Sequence, residues 1–148
     1  MLIATCIALT ILLALAGLAV DIGRIYVIRS ELQAYADAAA LSAALELSGG
    51  ESGVSQARAA VQQLATGPNA MRWDMGTAAI TNVTASFSSD DKAWDTHPKQ
   101  PGDLRFARVV ASEPAPLIFL RIFRFPNSVI VAASSVAAKT GRTARLIQ

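Results

Sequence analysis

The chain of 148 residues has one cysteine, Cys6, so no intrachain disulfide can form. Cys6 stands in an apolar run, where a thiol acts as a small hydrophobe. The one histidine, His97, lies in a loop rich in Pro, Asp and Lys. A His/Cys metal site or a Cys–His catalytic pair therefore lacks a second member. Neither a G-x-S-x-G elbow nor a phosphate-binding loop occurs, and Asp90, Asp91 and Asp95 match no EF-hand spacing. The expectation is a protein that is not an enzyme and takes no metal or cofactor. With a net charge of +2 and no aromatic residue among the basic residues of the tail, nucleic acid is not an expected partner. That tail, "AKTGRTARLIQ", carries Lys139, Arg142 and Arg145 and no acid. It reads as a solvated terminus, with contact to an acidic neighbour or lipid headgroups as the alternative. Asn82-Val83-Thr84 has the form of a glycosylation sequon, but it falls in a predicted strand.

Charge is also missing from the first twenty residues, "MLIATCIALTILLALAGLAV". As a helix they would be about 30 Å long, enough to cross a bilayer core. No basic n-region precedes the run, which departs from a secretory signal. The first basic residues, Arg24 and Arg29, follow it. Positive charge after the span would by itself keep the remainder in the cytoplasm. The reading favoured here is that a basic leader preceding Met1 has been removed, with the domain outside.

Proline is absent from Met1 to Leu47, and Gly17 and Gly23 are the only glycines there. One helix of about 47 residues, about 70 Å long, is predicted. "SGGESG" ends it, with Gly49 or Gly50 as the residue after the cap. Ser52 or Ser55 can cap a second helix whose Val54, Ala57, Val61, Leu64 and Ala65 share one face, stopped by Gly67 and Pro68. The period then changes to two. Val83, Ala85 and Phe87 alternate with Thr84 and Ser86, and "LRFARVVAS" and "SVIVAASSVAAKT" are two further strands. Pro116 suits the first position of a short helix carrying Leu117, Ile118, Phe119, Leu120, Ile122 and Phe123. Trp73 and Trp94 read as packing anchors. The predicted class is α+β: residues 1–47 form a transmembrane and assembly helix, and residues 48–148 a head of antiparallel sheet covered by the second helix and the rear half of the first.

Beyond the span, Ala34, Ala36, Ala38, Ala39, Ala40, Ala43 and Ala44 make a slim apolar surface that permits close helix approach. A helix apolar all round belongs in a bundle, and a chain with one such helix can build a bundle with copies of itself. The expected assembly core is Leu2, Ile3, Ile7, Leu12, Leu15 and Ala19. Close packing is assigned to Gly17, Gly23, Ala36, Ala40 and Ala44, and inter-subunit or helix charge contacts to Asp21, Arg24 and Asp37. Asp21 and Arg24, three apart, could pair locally. Asp37 has no basic residue at i±3 or i±4 and would need a partner if buried. Packing of residues 21–47 on the chain's own head is the competing reading. If copies meet there, Asp37→Leu or Ala40→Trp should impair assembly and leave the head folded.

Leu15 to Leu47 resembles the N-terminal segment of the TadG-like and TadE-like proteins of tight-adherence (Tad/Flp) pilus systems. The matching features are Gly17, Asp21, Gly23, Arg24 and Tyr26 in a Gly-x-x-x-Asp-x-Gly-Arg-x-Tyr pattern, the pair Leu32–Gln33, and the run Ala36 to Leu41. The likeness is looser over "LRFARVVASEPAPLIFLRIF" and the last strand. It implies a type IV pilin-like fold, maturation by a prepilin peptidase and handling by a pilus secretion machine. It also implies insertion in the cytoplasmic membrane before assembly into an extracellular, homo-oligomeric helical filament. The sequence departs from longer TadG-like proteins in having no D-x-S-x-S motif. It departs from ordinary type IV pilins in having Thr5 where a glutamate is usual, counting Met1 as the mature start. The expected function is a structural filament subunit. The alternatives are a membrane-anchored minor pilin that initiates or tethers the pilus, and a bitopic surface binding protein.

Overall fold

The computed structural model describes residues 1–99, 101–124, 126–140 and 143–147. Of the residues singled out above, Arg142 and the side chain of Phe123 lie outside that set.

Helix α1 runs from Leu2 to Glu46 without a break, as the absence of proline permits. The two threonine hydroxyls of its apolar stretch are satisfied within the helix: Thr5 Oγ1 donates to the Met1 carbonyl at 3.1 Å and Thr10 Oγ1 to the Cys6 carbonyl at 2.8 Å. In an apolar medium such i−4 bonds remove the penalty of an unpaired hydroxyl. Leu47 caps the helix, and Gly49 turns the chain at φ +84°, a backbone region that favours glycine.

Helix α2 spans Glu51–Thr66. The serines expected to cap it do not. Gly50 is the N-cap, and Ser55 Oγ donates instead to the Ser52 carbonyl. The start forms without a side-chain cap because Glu51 complements the positive end of the helix dipole. Val54, Ala57, Val61 and Ala65 are buried, as their spacing requires.

A small antiparallel hairpin follows, β1 (Arg72–Trp73) and β2 (Ala78–Ala79). The main sheet is an antiparallel meander in the order β3 (Val83–Ser88), β4 (Phe106–Pro116), β5 (Ser128–Thr140), β6 (Thr143–Ile147). Pro116 does not open a helix: it is the last residue of β4, opposite Ser128. A short 3-10 helix comes later, at Leu120–Phe123. The basic tail is not a free terminus either, since Thr143–Ile147 pairs along Val136–Thr140. There the ladder to β5 pairs backbone groups that a free terminus would leave to water.

From Ile28 onward α1 lies on the inner face of β4, β5 and β6, with α2 on its flank. Tyr35 is fully buried, and its hydroxyl donates to the Val61 carbonyl at 2.9 Å. Ala36, Ala39, Ala40, Ala43 and Ala44 on the helix, and Ala107, Ala111, Ala133 and Ala137 on the strands, are buried in one core. Small side chains on both elements allow close approach, and dense packing makes that approach favourable. Of the alanine surface, Ala36, Ala39, Ala40, Ala43 and Ala44 are therefore spent on the chain's own head, whereas Ala34 is exposed and Ala38 half-buried. A tryptophan at position 40 would strike that core, contrary to the expectation that Ala40→Trp spares the head.

Candidate functional site

Leu2, Ile3, Ile7, Leu12, Leu15 and Ala19 all project from the bare part of α1 and are exposed. This is a helix long and apolar enough to cross a membrane. Where it meets the head, the head is fastened at three points.

The first is Asp21, almost completely buried. Its carboxylate accepts the backbone N–H groups of Ile118 at 3.0 Å, Phe119 at 3.0 Å and Leu120 at 2.7 Å. Burial alone would raise the acid's pKa. The three N–H donors, helped by the charge of Arg24, outweigh burial and hold it below the ordinary value. The second point is Gly17, which faces Phe119 so closely that no side chain fits between them. The third is Arg24, whose guanidinium grips Asp74 through Nε (2.9 Å) and Nη2 (2.6 and 2.8 Å). That hydrogen bonding raises the pKa of the guanidinium. Asp74, Met75 and Gly76 all have positive φ, and Glu31 accepts the Met75 N–H at 3.1 Å. The helix thus braces a turn in which two non-glycine residues adopt an unfavourable backbone conformation.

Gly17, Asp21, Arg24 and Ile28 fall at i, i+4, i+7 and i+11, one stripe of an α-helix. The spacing of the motif is therefore the spacing of a head-facing edge. Asp21 and Arg24 do not hydrogen-bond each other; each binds a different loop of the head. Gly23 points to open space, and Tyr26 is 69% exposed. Asp37 accepts from Gln33 Nε2 at 2.8 Å, a partner one turn earlier in its own helix.

Two further contacts escaped the sequence reading. Lys139 Nζ donates to the carbonyls of Leu45 (3.0 Å) and Leu47, so a cation satisfies the end of α1. Glu113 is buried and accepts the N–H groups of Thr81 and of Asn82, the latter at 2.8 Å, which ties the entry of β3 to β4. An acid within the apolar β4 run was the available sign of such a role. Asn82 itself precedes the strand and also donates to Glu113. Trp73 is buried, donating to the Ala79 carbonyl, whereas Trp94 lies beneath Arg108. Asp90 caps its own loop, accepting from Ser88 Oγ and the N–H groups of Lys92 and Ala93. His97 is an exposed loop residue beside Thr96.

A family model, Tad, described as putative Flp pilus-assembly TadE/G-like, matches residues 1–46. This segment is TadE/G-like. The match ends where α1 ends, and it contains the whole apolar stretch and all three fastening residues. It supports a part for the chain in Flp pilus assembly. No curated protein and no solved structure matches the chain.

Proposed function

We propose that the chain is a pilin-like protein of a Tad-type pilus, held in the cytoplasmic membrane by residues 1–20 with its head outside. Its role is that of a minor, anchored pilin that initiates or tethers the pilus. The observation that carries this reading is the continuity of the TadE/G-like helix. Apart from the groove under Phe119 and Ile122 it is bare over residues 1–16, it is fastened to the head through Gly17, Asp21 and Arg24, and from Ile28 on one face of it is buried. Stem and head therefore move together, as transmission from membrane to surface requires. The partners of this reading are the stems of other pilins, the pilus secretion machine and a prepilin peptidase. The chain does no chemistry on this account: its buried carboxylates, Asp21 and Glu113, are both engaged by backbone N–H groups.

The second reading is a bulk filament subunit, favoured by the compact head. A stem in a filament core needs neighbours on every side, and Phe119 already covers the side of Gly17. That contact favours the anchored role. Quantitative mass spectrometry of purified surface filaments and of membranes separates the two. The anchored role is expected to leave most copies in membranes, with a trace in filaments and no pili in a deletion strain. Filaments made mostly of this chain would establish the bulk role instead.

A further inference from the structure

The connection from β4 to β5 is apolar where a surface turn is ordinarily polar. Leu117, Ile118, Phe119, Leu120 and Ile122 follow one another around Arg121, and no acid occurs after Glu113. The turn runs back along the stem. Asp21 holds its start, Phe119 lies on Gly17, and Phe119 and Ile122 line an apolar groove of about 340 Å³ with Thr10, Leu13 and Ala14. Leu13 is eight residues from Asp21, about 12 Å along the helix axis. Ile122 is 74% exposed, and so shares the surroundings of the outer part of the stem.

Much of the backbone of the turn suits an apolar medium. The N–H groups of Ile118, Phe119 and Leu120 go to Asp21, that of Leu117 to the Asn127 carbonyl, that of Ile122 to the Phe119 carbonyl and that of Arg124 to the Arg121 carbonyl. Unpaired N–H groups are what ordinarily keeps a turn out of lipid. Arg121 and Arg124 are exposed and form no ion pair among the described residues.

We propose that the turn Leu117–Arg124 is a second lipid-inserting element, entering the outer acyl layer beside the stem and placing Arg121 and Arg124 on headgroup phosphates. Basic side chains reach headgroups by snorkelling along their own stems. The proposal rests on the reading of residues 1–20 as membrane-embedded.

The test uses the full chain with Cys6→Ser and one new cysteine at Leu12, Ile122 or Ser52. Each is labelled with an environment-sensitive fluorophore and reconstituted in phosphatidylcholine–phosphatidylglycerol vesicles. Leu12 and Ile122 are expected to be quenched by nitroxide on the acyl chains and shielded from aqueous iodide, and Ser52, exposed on α2, to show the reverse. Leu12 in lipid with Ile122 open to iodide would overturn the inference and leave the stem reading intact. Both labels open to iodide would overturn both readings. An Ile122 label shielded from both quenchers would mean a neighbouring protein covers the turn, which also overturns the inference. The pair Arg121→Gln and Arg124→Gln retains every apolar side chain. It is expected to raise iodide quenching at Ile122, and unchanged quenching would contradict the headgroup contact.

Discussion

Phe119 occupies the space that a side chain on residue 17 would need: a Cβ there would stand 2.7 Å from the Phe119 Cβ. The two residues lie on opposite sides of the junction between stem and head, and their contact lets the β4–β5 turn lie flat on the helix. Gly17→Val is expected to lift the turn. Overpacking of this kind costs about 1–3 kcal/mol, more than the gain of a few tenths of a kcal/mol from a better helix former. Faster hydrogen exchange at the Ile118–Leu120 amides in micelles is the readout, and Phe119→Ala is expected to cancel part of the effect in a double-mutant cycle.

Asp21 gives that junction a pH dependence. Its folded pKa lies below the ordinary 3.8, so its contribution is complete above that value and is lost as pH falls through the folded pKa. The amide shifts of Ile118, Phe119 and Leu120 are expected to be constant from neutrality to about pH 4 and to move together below it. Asp21→Asn should abolish that titration. The variant keeps one acceptor oxygen and sets an NH2 donor against backbone N–H groups in place of the other, at a cost of about 1–3 kcal/mol for a buried donor left unpaired. Local amides are the proper probe because the pKa of Asp90, on the surface, is likewise held below the ordinary value, by the Lys92 and Ala93 N–H groups.

Arg24→Lys retains the charge and loses the fork that grips Asp74 through two nitrogens. A loss of about 1 kcal/mol is expected in denaturant melts, between the worth of a surface pair and that of a buried charged hydrogen bond. The local sign is broadening of the Met75 and Gly76 amides. Unchanged order in this turn would show that the turn keeps its positive-φ backbone without the brace.

Ala40→Trp and Asp37→Leu should separate. Ala40 is fully buried in the core of the head, so the tryptophan is expected to cost the head about 1–3 kcal/mol or more. Asp37 is half-buried with Gln33 as its partner, and its replacement is expected to change head stability by less than about 1 kcal/mol. Urea midpoints of the two variants measure the difference.

The α+β class, the unbroken first helix, the apolar face of α2 and strands β3 to β5 were legible because each depends on local periodicity. Legibility ended where partners are distant or belong to the backbone. Asp21 meets N–H groups 97 to 99 residues away, and such groups leave no mark in sequence. The spacing of Gly17, Asp21 and Arg24 does define one helix face and could have pointed to a docking edge. The β1–β2 hairpin was missed because Asp74 and Met75 take positive φ without being glycine, in a turn held by Arg24, by Glu31 and by Thr77 on the Asp74 carbonyl. Strand β6 was hidden because Lys139, Arg142 and Arg145 made the tail read as a solvated terminus, whereas Thr143–Ile147 is held by pairing with β5.

The account turns on residues 1–20 being sheltered from water by lipid or by other stems, and sedimentation of the intact 148-residue chain tests this most directly. In detergent-free buffer the chain is expected to float with added vesicles, or to sediment as a large assembly without them. A stable, fully dispersed monomer under those conditions would contradict it.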